Sequence, residues 1–161
     1  MTTILPLSVL QTIIAALRTS VDQTVKQALL DYDHKALAKW CNDGTSTKAW
    51  IVSVPKRDMF EAMNISTYDA VSAGKKESWQ LMLSMAPIDF SRGGMRKGVL
   101  DIFVAADANA MLASFTENAS QIEVLVGGSS TTTGTVTALK RDFVGTVEAS
   151  DLRQVFPRPR I

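Results

Sequence analysis

The run GGSSTTTGTVTALKRDFVGTV, Gly127 to Val147, is where the chain changes its grammar. Upstream, apolar residues recur every three or four positions; here Gly, Ser and Thr crowd together and β-branched residues take over. The polar start, over about 127–135, has a composition that favours mobility and predicts a flexible loop. Val136 to Leu139 and Phe143 to Val147 then read as two short strands around a Lys140-Arg141-Asp142 turn. The fold class that follows is mainly α: a helical bundle-like body with a small C-terminal β-hairpin and an extended C-terminal tail. The organisation read from it is one domain over 1–150 and a docking tail over 151–161.

Working outward, Ser8 is a candidate cap for a long helix whose stripe is Val9, Ile13, Leu17, Val21, Val25, Ala28 and Leu29. Asp33 caps a second helix carrying Leu37, Trp40 and Cys41, and Gly44 in "NDG" ends it in the left-handed conformation. "KAWIVSVPKRD" alternates at Trp50, Val52 and Val54 and reads as a short extended segment stopped by Pro55. Helical spacing returns at Arg57 to Met63, at Trp79, Met82, Leu83 and Ala86, and at Met95, Val99, Ile102 and Phe103. A further helix, capped by Asp107, turns Met111, Leu112, Phe115, Ala119 and Ile122 inward and stops at Gly127-Gly128.

With 161 residues the chain is long enough for one real core, and 46% hydrophobic against 20% charged residues is a globular balance. A net charge of +1 argues against a surface built throughout to neutralise phosphates. The single cysteine, Cys41, excludes an intramolecular disulfide and a thiol-rich metal site. "MTTILPLSVLQTIIAAL" has no basic leader, and no apolar run approaches the roughly 18 residues of a spanning helix. The expectation is a protein made in the cytoplasm that does not enter a membrane.

The most distinctive motif is "SRGGMRKGVLDIF", Ser91 to Phe103. Gly93 and Gly98 have the spacing of a phosphate loop, but Val99 and Leu100 stand where it needs Lys and then Ser or Thr. The plain reading is a glycine turn into a helix with a solvated Arg96 and Lys97. Positive charge at a helix start is unfavourable without an acidic neighbour, so Arg92, Gly93, Gly94, Arg96 and Lys97 are candidate contacts to another subunit. Catalysis has little material. One histidine, His34, reads as an exposed helix-start residue, no nucleophile elbow occurs, and acidic residues are scattered singly. No catalytic residue, metal or cofactor is expected. In the closing "SDLRQVFPRPRI", Leu152, Arg153, Phe156, Arg158, Arg160 and Ile161 form the second candidate contact set: an apolar anchor, a proline-stiffened backbone, and arginines that seek carboxylates or phosphates.

The order of "WIVSVPKRDMFEAM", "YDAVSAGKKESWQLML", "APIDFSRGGMRKGVLDIF", the Thr/Gly-rich run and "VGTVEASDL" resembles head-to-tail connector (adaptor, or neck) proteins of tailed bacteriophages. The similarity covers about Trp50 to Leu152 and rests on Trp50, Val54, Asp58, Gly74, Lys75, Trp79, Met82, Arg96, Gly98, Asp101, Ile102 and Asp151. The resemblance implies a mostly helical subunit of a homo-oligomeric ring in the virion neck, contacting the portal protein and the tail or tail-terminator proteins and passing DNA without reading it. Tail-terminator or tail-completion proteins of the same region are the rival, and their bodies carry more sheet. A nucleic-acid-binding module using Arg92, Arg96 and Lys97, and a small enzyme, are the remaining classes.

Overall fold

The computed structural model describes residues 5–160, so Ile161 and the first four positions of the leader reading lie outside the described residues. The chain opens with α1 (Leu7–Thr19), α2 (Gln23–Asp31) and α3 (His34–Asn42). Leu10, Ile13, Ile14 and Leu17 form the buried stripe of α1. That stripe does not run on as one long helix. Ser20 is extended, its hydroxyl accepts the Asp22 N–H, and the Asp22 carboxylate accepts from Thr24 and Val25 at 2.9 and 3.2 Å, so α2 starts with its own cap. Val21, placed inward by periodicity, is 83% exposed in the break. Asp33 does cap α3, through the Ala36 N–H. The left-handed residue nearby is Tyr32 (φ 53°), not Gly44, which instead opens a strand.

That strand is β1 (Gly44–Trp50), followed by α4 (Lys56–Glu61), α5 (Ile65–Tyr68), α6 (Ala73–Ser84), α7 (Gly93–Ile102) and α8 (Ala105–Ser114). Then come β2 (Thr116–Ser120), α9 (Gln121–Val126), β3 (Gly128–Thr133), β4 (Val136–Arg141) and α10 (Ala149–Val155). The described residues are 55% helical and 17% strand, with a four-stranded mixed sheet in the order β2-β1-β4-β3. β1 and β4 are parallel, with Ala49 opposite Leu139. The fold is therefore mixed α/β, which corrects the expectation of a mainly helical, bundle-like body with a small C-terminal hairpin.

Three local causes account for the correction. The threonines of 127–135 have structural partners: the Trp50 indole donates to the Thr131 hydroxyl at 2.8 Å and the Arg96 guanidinium to the Thr133 hydroxyl at 2.8 Å, so the run is a strand and not a loop. The hairpin turns at Gly134-Thr135, where Gly134 has φ 60°, one strand earlier than predicted. Phe143 and Val147 are buried as irregular chain, the Asn42 side chain pairing with both backbone groups of Val147 at 2.7 and 2.9 Å. Likewise the helix predicted to be capped by Asp107 and to stop at Gly127-Gly128 begins at Ala105, with Asp107 inside its first turn, and stops at Ser114. Phe115, Ala119 and Ile122 are all buried, but as a helix end, a strand and a second helix begun by a Ser120–Glu123 capping box.

The chain forms two compact units where the sequence reads one domain and a tail. Unit 1 comprises the chain up to Thr47, Asn118–Gly128 and the segment from Arg141 onward; unit 2 comprises Lys48–Glu117 and Ser129–Lys140. Each has its own core. In unit 1 Leu10, Ile13, Leu17, Val25, Leu37, Cys41, Ile122, Val147 and Leu152 pack together. Beside them lies an ion pair that sequence reading missed, Arg141 Nη1 to Glu123 Oε2 at 2.9 Å, with both side chains almost fully buried. In unit 2 the core is Trp50, Met59, Trp79, Phe90, Val99, Phe103, Met111, Leu112 and Phe115. Phe90 stacks on Phe115 at 4.2 Å, and Trp79 meets Phe103 edge-on at 5.0 Å.

Candidate interaction sites

The glycine-arginine motif falls in unit 2 at the start of α7. Gly93 and Gly94 are its first two residues, preceded by Arg92 in extended conformation with no side-chain cap. Asp89 is the acidic neighbour the motif called for: its carboxylate lies 3.6 Å from Arg92 Nε and accepts the Ser91 N–H and hydroxyl. Lys97 is exposed and pairs with Asp101 one turn on at 3.1 Å. Arg96 is different. Only 4% exposed, it donates to the carbonyls of Phe90 and Ser91 and to the Thr133 hydroxyl, each at 2.8 Å, and its guanidinium lies 4.5 Å from the Trp50 ring centre. Burial holds its pKa below the usual arginine value, with Asp89 opposing that shift. The motif's second arginine thus ties α7, the segment before it, β1 and β3 together. Arg92, Gly93, Gly94 and Lys97, the other members of the set, are exposed, and Gly94 has open space where a Cβ would stand.

The closing motif falls in unit 1. Leu152 is fully buried in that unit's core, and Asp151 is buried in a capping box with Glu148 at the start of α10. Phe156 stacks on Tyr32 with ring centres 4.7 Å apart, and the Arg18 guanidinium lies 5.5 Å from its ring. Nε2 of His34 is 2.6 Å from the Phe156 carbonyl oxygen, so that nitrogen carries the proton. His34, read from sequence as exposed, is buried by this arrangement. Arg158 donates to the Asp31 carbonyl at 3.3 Å, while Arg153 and Arg160 are exposed. Tyr32, His34, Lys35, Arg153, Pro157 and Arg158 line a groove of about 670 Å³ here. The anchor foreseen for a foreign surface is seated on its own unit. Sequence reading missed the seat because Arg18, Tyr32 and His34 reach Phe156 across more than a hundred positions; the local signal was Asp33, whose capping role places Tyr32 and His34 at a turn.

Cys41 is buried, which pushes its thiol up to about 12, so it stays protonated and unreactive at neutral pH. Among the described residues no three His, Cys, Asp or Glu side chains are grouped to hold a metal ion, and no helix is long and apolar enough to cross a membrane. No family model, curated protein or solved structure matches the chain.

Proposed function

We propose that the chain is a structural virion protein, a subunit of a head-tail connector ring that joins the portal to the tail and lets DNA pass. The observation that supports this is apolar exposure in the stretch that carries the resemblance. Phe60, Ile65, Leu81, Met85 and Val104 all lie between Trp50 and β2, and each has about half or more of its surface in solvent. In a ring these are the side chains that neighbouring subunits would cover. Arg92 and Lys97 supply charge on the same unit, and the arginines after Phe156 supply it on unit 1. In this reading the tail contributes Arg153, Arg158 and Arg160 to the neighbour, while Leu152 and Phe156 hold it to its own subunit.

The sheet favours a second reading within the same neck region. A tail-terminator or tail-completion protein carries more strand than a helical adaptor, and a four-stranded sheet fits that description. One experiment separates the two. The purified protein is mixed with DNA-filled heads that carry portal but no neck, and in parallel with tails lacking their terminator, and both are imaged. A connector forms a ring on the portal vertex. A terminator caps the tail tube. Binding to neither particle overturns both readings.

A further inference from the structure

The sheet ends at β3, and among the described residues this strand is largely exposed. Natural sheet edges are blunted by lysine, proline, a bulge or a covering element, because an open row of N–H and C=O groups templates pairing with another chain. From Gly128 to Thr135 there is no charged residue and no proline. The two-residue turn at Gly134-Thr135 sets Thr133 opposite Val136, and two bonds keep that register: Thr132 to Thr137 between hydroxyls at 2.7 Å, and Asp142 N–H to the Gly127 carbonyl at 3.3 Å. In an antiparallel ladder of this register Thr131 and Thr133 bond β4, and the backbone groups of Ser130 and Thr132 point away from it. Both residues are exposed.

The strand is also held still. Trp50 bonds Thr131, Arg96 bonds Thr133, and the Asn109 carboxamide oxygen accepts the Thr135 N–H at 3.1 Å. An edge fixed in this way loses little further freedom when a strand docks on it.

We propose that β3 is a self-association edge, pairing antiparallel with β3 of a second copy of this chain. The occupant follows from the strand's chemistry. Two copies of an uncharged segment lie side by side without like-charge repulsion, and serine and threonine hydroxyls both donate and accept, so the strand complements itself. A two-fold axis at Thr131 puts Ser130 of each copy beside Thr132 of the other and forms about four backbone hydrogen bonds. This inference stands on the edge alone and does not depend on the neck-protein reading.

Thr132→Pro removes one outward N–H, and Ser130→Lys with Thr132→Lys puts repelling charge on the same edge; both lose the Thr132–Thr137 hydroxyl bond but none of the backbone bonds that Thr131 and Thr133 make to β4. By sedimentation velocity the native chain is expected to associate as its concentration rises, and both variants to sediment as smaller species with unchanged far-ultraviolet circular dichroism. Amide exchange at Ser130 and Thr132 slows with concentration, while that at Thr131 and Thr133 does not change. If Thr132→Pro fails to fold, the double lysine variant decides. A native chain that stays monomeric, or an association that the double lysine variant leaves at the same mass, overturns the proposal.

Discussion

Arg96 shows how much one side chain settles. Its three hydrogen bonds and its face-on contact with Trp50 join segments far apart in sequence, and removing it leaves two backbone carbonyls and a threonine hydroxyl short of a donor. Arg96→Ala is expected to destabilise the protein by about 3 kcal/mol in urea unfolding, and Arg96→Lys to recover less than half of that, because an ammonium cannot reproduce the planar fork. Cys41 supplies a test with a definite sign. Folding raises its thiol from 9.0 to about 12, so the native state keeps a proton that the unfolded chain gives up in that interval. The stabilisation is complete below pH 9 and is lost as pH rises towards about 12. Urea midpoints should therefore fall across this window more steeply in the native sequence than in Cys41→Ala. A thiol reagent at pH 8 should label the native protein only as fast as it opens.

At the scale of elements, the hairpin between β3 and β4 depends on Gly134. Its φ of 60° is strained for any L side chain, and an added Cβ would collide with the Asn109 carboxamide oxygen. Gly134→Ala is expected to cost about 2 kcal/mol, and pairing it with Asn109→Ala to return part of that while the backbone strain remains, read from the two melting curves. The helix α10 makes a sharper case. Truncation after Ser150 removes Leu152 and Asp151 and is expected to unfold unit 1. Truncation after Phe156 leaves the anchor seated and the circular dichroism intact.

What the sequence disclosed at this scale follows a physical rule. The stripe of α1, the Asp33 cap and the helical spacing of α6 and α7 were legible because each is fixed by neighbours within a turn or two. The strand at Gly128–Thr133 was not legible, since its threonines become strand residues only when Trp50 and Arg96 arrive from elsewhere in the chain. Phe115, Ala119 and Ile122 fit a helical stripe as well as they fit the broken path they follow, and periodicity cannot separate the two. The candidate contact residues were found by composition. Whether each faces inward, as Arg96 and Leu152 do, or outward, as Arg92 and Lys97 do, depends on tertiary partners that spacing does not encode.

For the whole molecule, two cores mean two loci of stability. Leu152→Ala should cost about 3 kcal/mol, because a fully buried leucine leaves both lost transfer energy and a cavity. Hydrogen exchange is expected to quicken most in α1, α3 and α10, which pack around it in unit 1, and least in α6, α7 and α8 of unit 2.

The threading of unit 1 also bears on how the polypeptide matures during translation. Its first three helices leave the ribosome well before Ile122, Val147 and Leu152, the residues that close over them. Until α10 emerges, the inner faces of α1 and α3 are uncovered, and that nascent intermediate is open to chaperone capture and to premature aggregation. A stalled ribosome paused just short of α10 would present it.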